Sequence, residues 1–158
     1  MLTLGLACPG AQAIEAGQPA PGYAIPLLDG TTFTPDRGAG HVVVLHFWAT
    51  WCIPCRGELP AIERYYRKHH GGGLDFIAIS VDDPSDLATV KEMLGHFSYP
   101  GAVIQEAHVR GYGRIWRIPL TFVIDRNGVL RYDAWGGGPD GLDEVLLEST
   151  LTPLLAGH

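Results

Sequence analysis

The sequence predicts one α/β domain, a mixed β-sheet with helices packed on both faces and a small β-hairpin added at the N-terminal side. Three observations predict it: strand and helix patterns alternate through the middle of the chain, one strand is apolar throughout, and a hairpin followed by a helix closes the chain. At 158 residues, with 46% hydrophobic and 18% charged residues, the chain can bury one sizeable core and is not a disordered polymer. A net charge of −6 argues against nucleic acid as a partner.

Tyr23 to Leu28, the Asp29-Gly30 turn and Thr31 to Thr34 read as the small hairpin. His41 to Trp48 is the apolar run, as expected of a central strand covered on both faces. Arg56 to His70 carries a helical pattern with basic residues in its last turn, before Gly71-Gly72-Gly73. Leu74 to Val81 reads as a second buried strand, Ser85 to Phe97 as a second helix and Ala102 to Ile104 as a short strand. A further helix is expected over Ala107 to Ile115. Leu120 to Asp125 and Val129 to Tyr132 flank Asn127-Gly128, whose residues favour the positive φ angles of a two-residue hairpin turn. Leu142 to Leu155 is an apolar helix interrupted near Pro153.

Met1 to Ala13 forms an apolar stretch ending in the small-x-small pattern Ala11-Gln12-Ala13, but it has no positive leading region. It reads as the remnant of a signal peptide, leaving residues 14–158 as the domain. Cys8 within it also permits a lipid-anchored reading, and a plain disordered chain end is the bland alternative. Beyond it, no apolar window approaches the roughly 18 residues of a membrane span.

The chemistry concentrates in Trp51-Cys52-Ile53-Pro54-Cys55-Arg56, where the central strand gives way to the first long helix. A thiol at a helix N-terminus faces unpaired N–H groups that favour its anion, so Cys52 is the expected nucleophile toward a disulfide. Cys55, one turn on, can attack the Cys52 sulfur and resolve the mixed disulfide. Pro54 costs little in a first turn and restricts the spacer between the thiols. A zinc site would need a second ligand pair, and none is visible. A structural disulfide over so short a loop would stabilise little.

Phe47-Trp48-Ala49-Thr50-Trp51-Cys52-Ile53-Pro54-Cys55-Arg56-Gly57-Glu58-Leu59-Pro60 resembles the thioredoxin superfamily, and within it the exported TlpA/ResA-like thiol-disulfide oxidoreductases. Ile118-Pro119-Leu120-Thr121-Phe122-Val123-Ile124-Asp125-Arg126-Asn127-Gly128 matches the family's second motif. The resemblance runs from about Pro19 to the C-terminus and implies a thioredoxin fold. It makes Pro119 a cis-proline beside the dithiol, with Ile118 offering backbone groups to an extended client chain. An ordinary trans proline opening the strand is the alternative.

Glu58 matches a glutamate that borders the family's active site, and can exchange a proton with the resolving thiol. The alternative is a solvated carboxylate favoured by the helix dipole. His46 departs from the aspartate or asparagine usual at its position. It can relay a proton if neutral, lower a thiol pKa if cationic, or simply be a core histidine bonded to backbone. Trp48 reads as packing, Trp51 as a rim residue, and Arg56 as either a local positive charge or a solvated side chain. Asp82 and Asp83 are expected to end a strand and cap a helix.

The resemblance implies a periplasmic or otherwise extracytoplasmic bacterial reductant that needs no cofactor. Its partners would be client proteins carrying disulfides or thiols, such as apocytochrome c during cytochrome c biogenesis or copper-site apoproteins, and a membrane reductase as electron donor. The N-terminal segment offers a possible membrane tether. Two rivals use the same sulfurs: a general disulfide oxidase and a Cu(I)-binding metallochaperone. Peroxidase chemistry fits a paired dithiol less well.

Overall fold

A computed structural model describes residues 14–133 and 141–157. The signal-peptide remnant and Cys8 lie outside these residues. The elements are β1 (Ile25–Pro26), β2 (Thr32–Phe33), β3 (Val42–Trp48), α1 (Ile53–His69), β4 (Leu74–Ser80), α2 (Leu87–Leu94), β5 (Gly101–Val103), β6 (Leu120–Ile124), β7 (Leu130–Tyr132) and α3 (Glu144–Leu155). The main sheet has the order β5-β4-β3-β6-β7. β3 pairs in parallel with β4, and β4 with β5; β6 runs antiparallel to both β3 and β7. β1 and β2 form the separate antiparallel hairpin, shorter than the sequence pattern suggests.

All seven residues of β3 are buried, which requires cover on both faces. Strand alternation sends Val42, Val44, His46 and Trp48 to one face and Val43, Leu45 and Phe47 to the other. The first face meets α1, α2 and α3 through Leu59, Ile62, Val90, Leu94, Leu147 and Leu151. The second is covered by the β1–β2 hairpin and a 3-10 turn, Arg110–Tyr112, through Ile25, Phe33, Val109 and Tyr112.

Three local expectations change. The helix expected over Ala107 to Ile115 shrinks to that one turn. His108 is drawn into a two-way backbone pairing with Ala24, and Gly113 turns the chain at φ 79°. α2 ends at Leu94, where the Gly95 N–H closes on the Lys91 carbonyl, short of Phe97. The β6–β7 connection is no two-residue turn. Asp125 and Val129 still pair, and Gly128 takes φ 76° in the three-residue loop between them; the Asn127 and Val129 N–H groups donate to the Asp125 carboxylate.

At the sheet end away from the cysteines, Arg126 donates to the Gly40, Gly72 and Leu155 carbonyls at 2.7, 2.8 and 2.8 Å. One guanidinium fork thus joins three segments that sit far apart in sequence. Arg126→Met is expected to lower stability by about 1–3 kcal/mol in urea unfolding while leaving the dithiol chemistry of the folded protein unchanged. A loss of exchange activity without a loss of stability would contradict this division of labour.

Candidate active site

β3 ends at Trp48, and the chain turns within four residues into α1. Cys52 is the N-cap, in extended geometry, and its Sγ accepts from the Cys55 N–H at 3.3 Å. The helix begins at Ile53, earlier than the sequence pattern suggests, because Pro54 fits its first turn and Cys52 supplies the cap. Cys52 and Cys55 are joined as a disulfide, with Cα atoms 5.3 Å apart. Both are buried, while Trp51, Ile53 and Pro54 around them are exposed. Trp48 is wholly buried, with no partner for its indole N–H among the described residues.

The loop into Cys52 is held by Asp82, which does not cap a helix. Its buried carboxylate accepts from the Thr50 N–H at 2.9 Å, the Thr50 hydroxyl at 2.5 Å and the Ser80 hydroxyl at 2.6 Å. Asp83 does cap, accepting from the Ser85 N–H at 2.9 Å.

Cys55, Glu58, Leu59, Ile62 and Tyr65 follow helical spacing along the buried face of α1. Glu58 is therefore no solvated carboxylate; it is 1% exposed. Its Oε1 accepts from the Leu142 N–H at 3.1 Å. Gly141 lets the backbone come so close: a Cβ there would lie 2.7 Å from Glu58 Cγ, on a residue with φ 79°. Glu58 Oε2 points at His46 Nε2, 3.4 Å away, and neither atom has a hydrogen-bond partner among the described residues.

His46 is fully buried, directly opposite Thr121 in the β3–β6 ladder, so the two side chains share a face. Its Nδ1 lies 2.9 Å from Thr121 Oγ1. The backbone-bonded reading of His46 thus gives way to an imidazole bonded to the Thr121 side chain and facing Glu58. Burial lowers His46 to about 3 and raises Glu58 to about 7, the latter partly offset by the Leu142 N–H. A neutral imidazole thus faces a carboxyl that holds its proton into the neutral range. Two hydrogen arrangements suit the chain: with Glu58 ionised, Thr121 donates to Nδ1 and Nε2–H faces Oε2; with Glu58 protonated, the bond to Thr121 reverses and the carboxyl O–H faces Nε2.

The Ile118–Pro119 peptide is cis. Phe47 pairs with Leu120, so Pro119 sits level with Trp48, at the end of β3 from which the chain enters the Cys52 turn. Ile118 and Pro119 are partly exposed there. Arg56 is exposed, with no carboxylate partner among the described residues. Sequence reasoning did not find Thr121, Leu142 or the Asp82 clamp. Only Thr121 carried a signal, two residues after Pro119 in the second motif.

A family model described as the AhpC/TSA family matches residues 16–133. The chain belongs to the AhpC/TSA family. Among curated relatives, the thiol-disulfide oxidoreductase ResA of Bacillus thuringiensis subsp. konkukian is 32% identical over 120 residues, 74% of this chain and 68% of that protein. ResA of Geobacillus thermodenitrificans is 30% identical over 122 residues, 75% and 68% of the two chains. A thiol:disulfide interchange protein of the thioredoxin family from Chlorobium tepidum superposes with TM-score 0.72 at 25% identity, covering 90% of this chain and 99% of its own. This AhpC/TSA-family chain has the thioredoxin-like fold and is a thiol-disulfide oxidoreductase of the ResA type.

The two buried groups make stability depend on pH with opposite signs. Glu58 is raised, so its contribution is full below its ordinary 4.5 and is lost as pH rises through about 7. His46 is lowered, so its contribution is full above its ordinary 6.5 and is lost as pH falls toward about 3. Glu58→Gln is therefore expected to gain about 3 kcal/mol on the wild type between mildly acidic and mildly alkaline urea titrations. His46→Asn is expected to flatten the acid limb. Differences that stay constant with pH would contradict both assignments.

Proposed function

We propose that Cys52 and Cys55 reduce disulfides of client proteins, with Glu58 and His46 managing the proton of the second thiol. The observation that carries this reading is the pairing of a cysteine sulfur that caps a helix N-terminus with a buried carboxyl one turn after the resolving cysteine.

In the reduced protein, the Cys52 thiolate attacks one client sulfur. A Cys52–client disulfide forms, and the other client sulfur leaves as thiolate. Cys55 then gives its proton to the Glu58 carboxylate and attacks the Cys52 sulfur, forming the Cys52–Cys55 bond and expelling the second client sulfur. Two electrons pass from the cysteine pair to the client, whose thiolates take up protons, one of them returned by Glu58. A carboxyl titrating near 7 suits this exchange, because it can accept and release the proton at neutral pH. Neutral His46 and Thr121 adjust to either state of Glu58 by reversing their hydrogen bonds. Trp51 and Pro54 border the thiols, and Ile118 and Pro119 present backbone to the client segment.

Similarity to ResA supports thiol-disulfide exchange; the direction we assign is reductive, in an extracytoplasmic bacterial setting, for the domain of residues 14–158. Apocytochrome c or copper-site apoproteins are the client type, in cytochrome c biogenesis or copper-site assembly, and a membrane reductase supplies the electrons. No helix among the described residues is long and apolar enough to cross a membrane.

Cys52→Ser is expected to abolish reduction of a protein disulfide, and Cys55→Ser to accumulate a Cys52–client mixed disulfide visible on non-reducing gels. Equilibration of the wild-type pair with glutathione buffers is expected to give a potential below about −200 mV. A value near about −120 mV would assign an oxidase, and undiminished exchange by Cys52→Ser would remove Cys52 from the chemistry.

A further inference from the structure

The two segments that meet at the dithiol carry charge of one sign. No acidic residue occurs from Arg37 to Gly57, nor from Ala107 to Ile124, in a chain whose net charge is −6. Elsewhere, Arg64, Arg67, Lys68 and Arg131 are matched by Glu144, Glu63, Glu148 and Asp125, while Arg126 is bonded to backbone carbonyls and Lys91 and Arg110 form no ion pair among the described residues. Arg56, Arg114 and Arg117 are exposed and face no carboxylate among the described residues. Arg117 lies over the Trp116 ring, 5.6 Å from its centroid. Trp116 is 77% exposed, Trp51 65% and Ile53 79%.

Their place in the fold gives these side chains a common edge. Arg114, Trp116 and Arg117 lead into the Ile118–Pro119 peptide, which sits level with the end of β3. Trp51, Ile53 and Arg56 flank the cysteines at the start of α1. The acids at this end of the sheet lie mainly on the other side of β3: Asp83 and Asp86 follow β4, and Glu106 follows β5. Among the described residues beyond β6, Asp133 follows β7 and Asp143 caps α3. The lip is thus polarised, with a cationic and aromatic half on the β6 side. Exposed indoles and unpaired guanidiniums raise the local density of anionic, partly apolar chains and speed their encounter.

Building on the exchange chemistry above, we infer that this lip selects clients whose disulfide is flanked by acidic side chains with an apolar neighbour. Carboxylates of the bound segment meet Arg114 and Arg117, with Arg56 across the dithiol, while its apolar residue covers Trp51 or Trp116.

The test uses three synthetic peptides with the same intramolecular disulfide, flanked by aspartates, asparagines or lysines. Their reduction by the full protein is followed through kcat/KM. At about 0.01 M salt the acidic peptide is expected to react about tenfold faster than the neutral one, with the lysine peptide slowest, and the order is expected to collapse near 1 M salt. The double variant Arg114→Gln, Arg117→Gln is expected to lose the acidic advantage while reducing the neutral peptide within about twofold of the wild-type rate. Equal rates for all three peptides in low salt, or an acidic preference that survives in the variant, would overturn the selection. No reduction of any peptide would instead defeat the exchange chemistry on which it rests.

Discussion

The arrangement depends on a carboxyl group that cannot reach water. Helical spacing turns Glu58 inward one turn after Cys55, and strand alternation turns His46 toward the same place. Two ionised groups would be costly to bury there, and two groups that each lack a proton on the facing atoms would repel. Burial settles the conflict by keeping the imidazole neutral and holding the carboxyl's proton into the neutral range. The Leu142 N–H satisfies Oε1, so that only Oε2, on the His46 side, is left to change partners.

The scaffold keeps the reacting atoms steady around that group. β3 delivers the chain to the turn, Asp82 fixes Thr50 two residues before Cys52, and the Cys55 N–H of the first helical turn meets the Cys52 sulfur. At the opposite end, Arg126 gathers three chain segments. Stability and chemistry are therefore served by different ends of the same sheet.

Much of this is legible in the sequence. The buried run of β3, the helix after the cysteines and the closing hairpin follow from local periodicity, and Cys52, Pro54 and Cys55 stand out by spacing alone. Local patterns fail where a distant partner decides. His108 leaves a helical pattern to pair with Ala24, and Asp82 gives up a capping role to bind Thr50. Glu58 and His46 stand out in the sequence with their roles open. Their partners Leu142 and Thr121 lie 84 and 75 residues away, so choosing among those roles requires the strand register and the packing of the chain before α3. The charge asymmetry of the lip lies in the sequence too, but it acquires meaning only once two separated segments are seen to meet at the dithiol.

The most direct test of this account is the titration of one group: the side-chain carboxyl of Glu58, followed by carbon-13 NMR in the disulfide-bonded protein with selectively labelled glutamate and assigned through Glu58→Gln. The account predicts a midpoint near 7, far above the other glutamates. A midpoint at the ordinary value near 4.5 would make Glu58 too weak a base to hold the Cys55 proton at neutral pH, and would contradict this account.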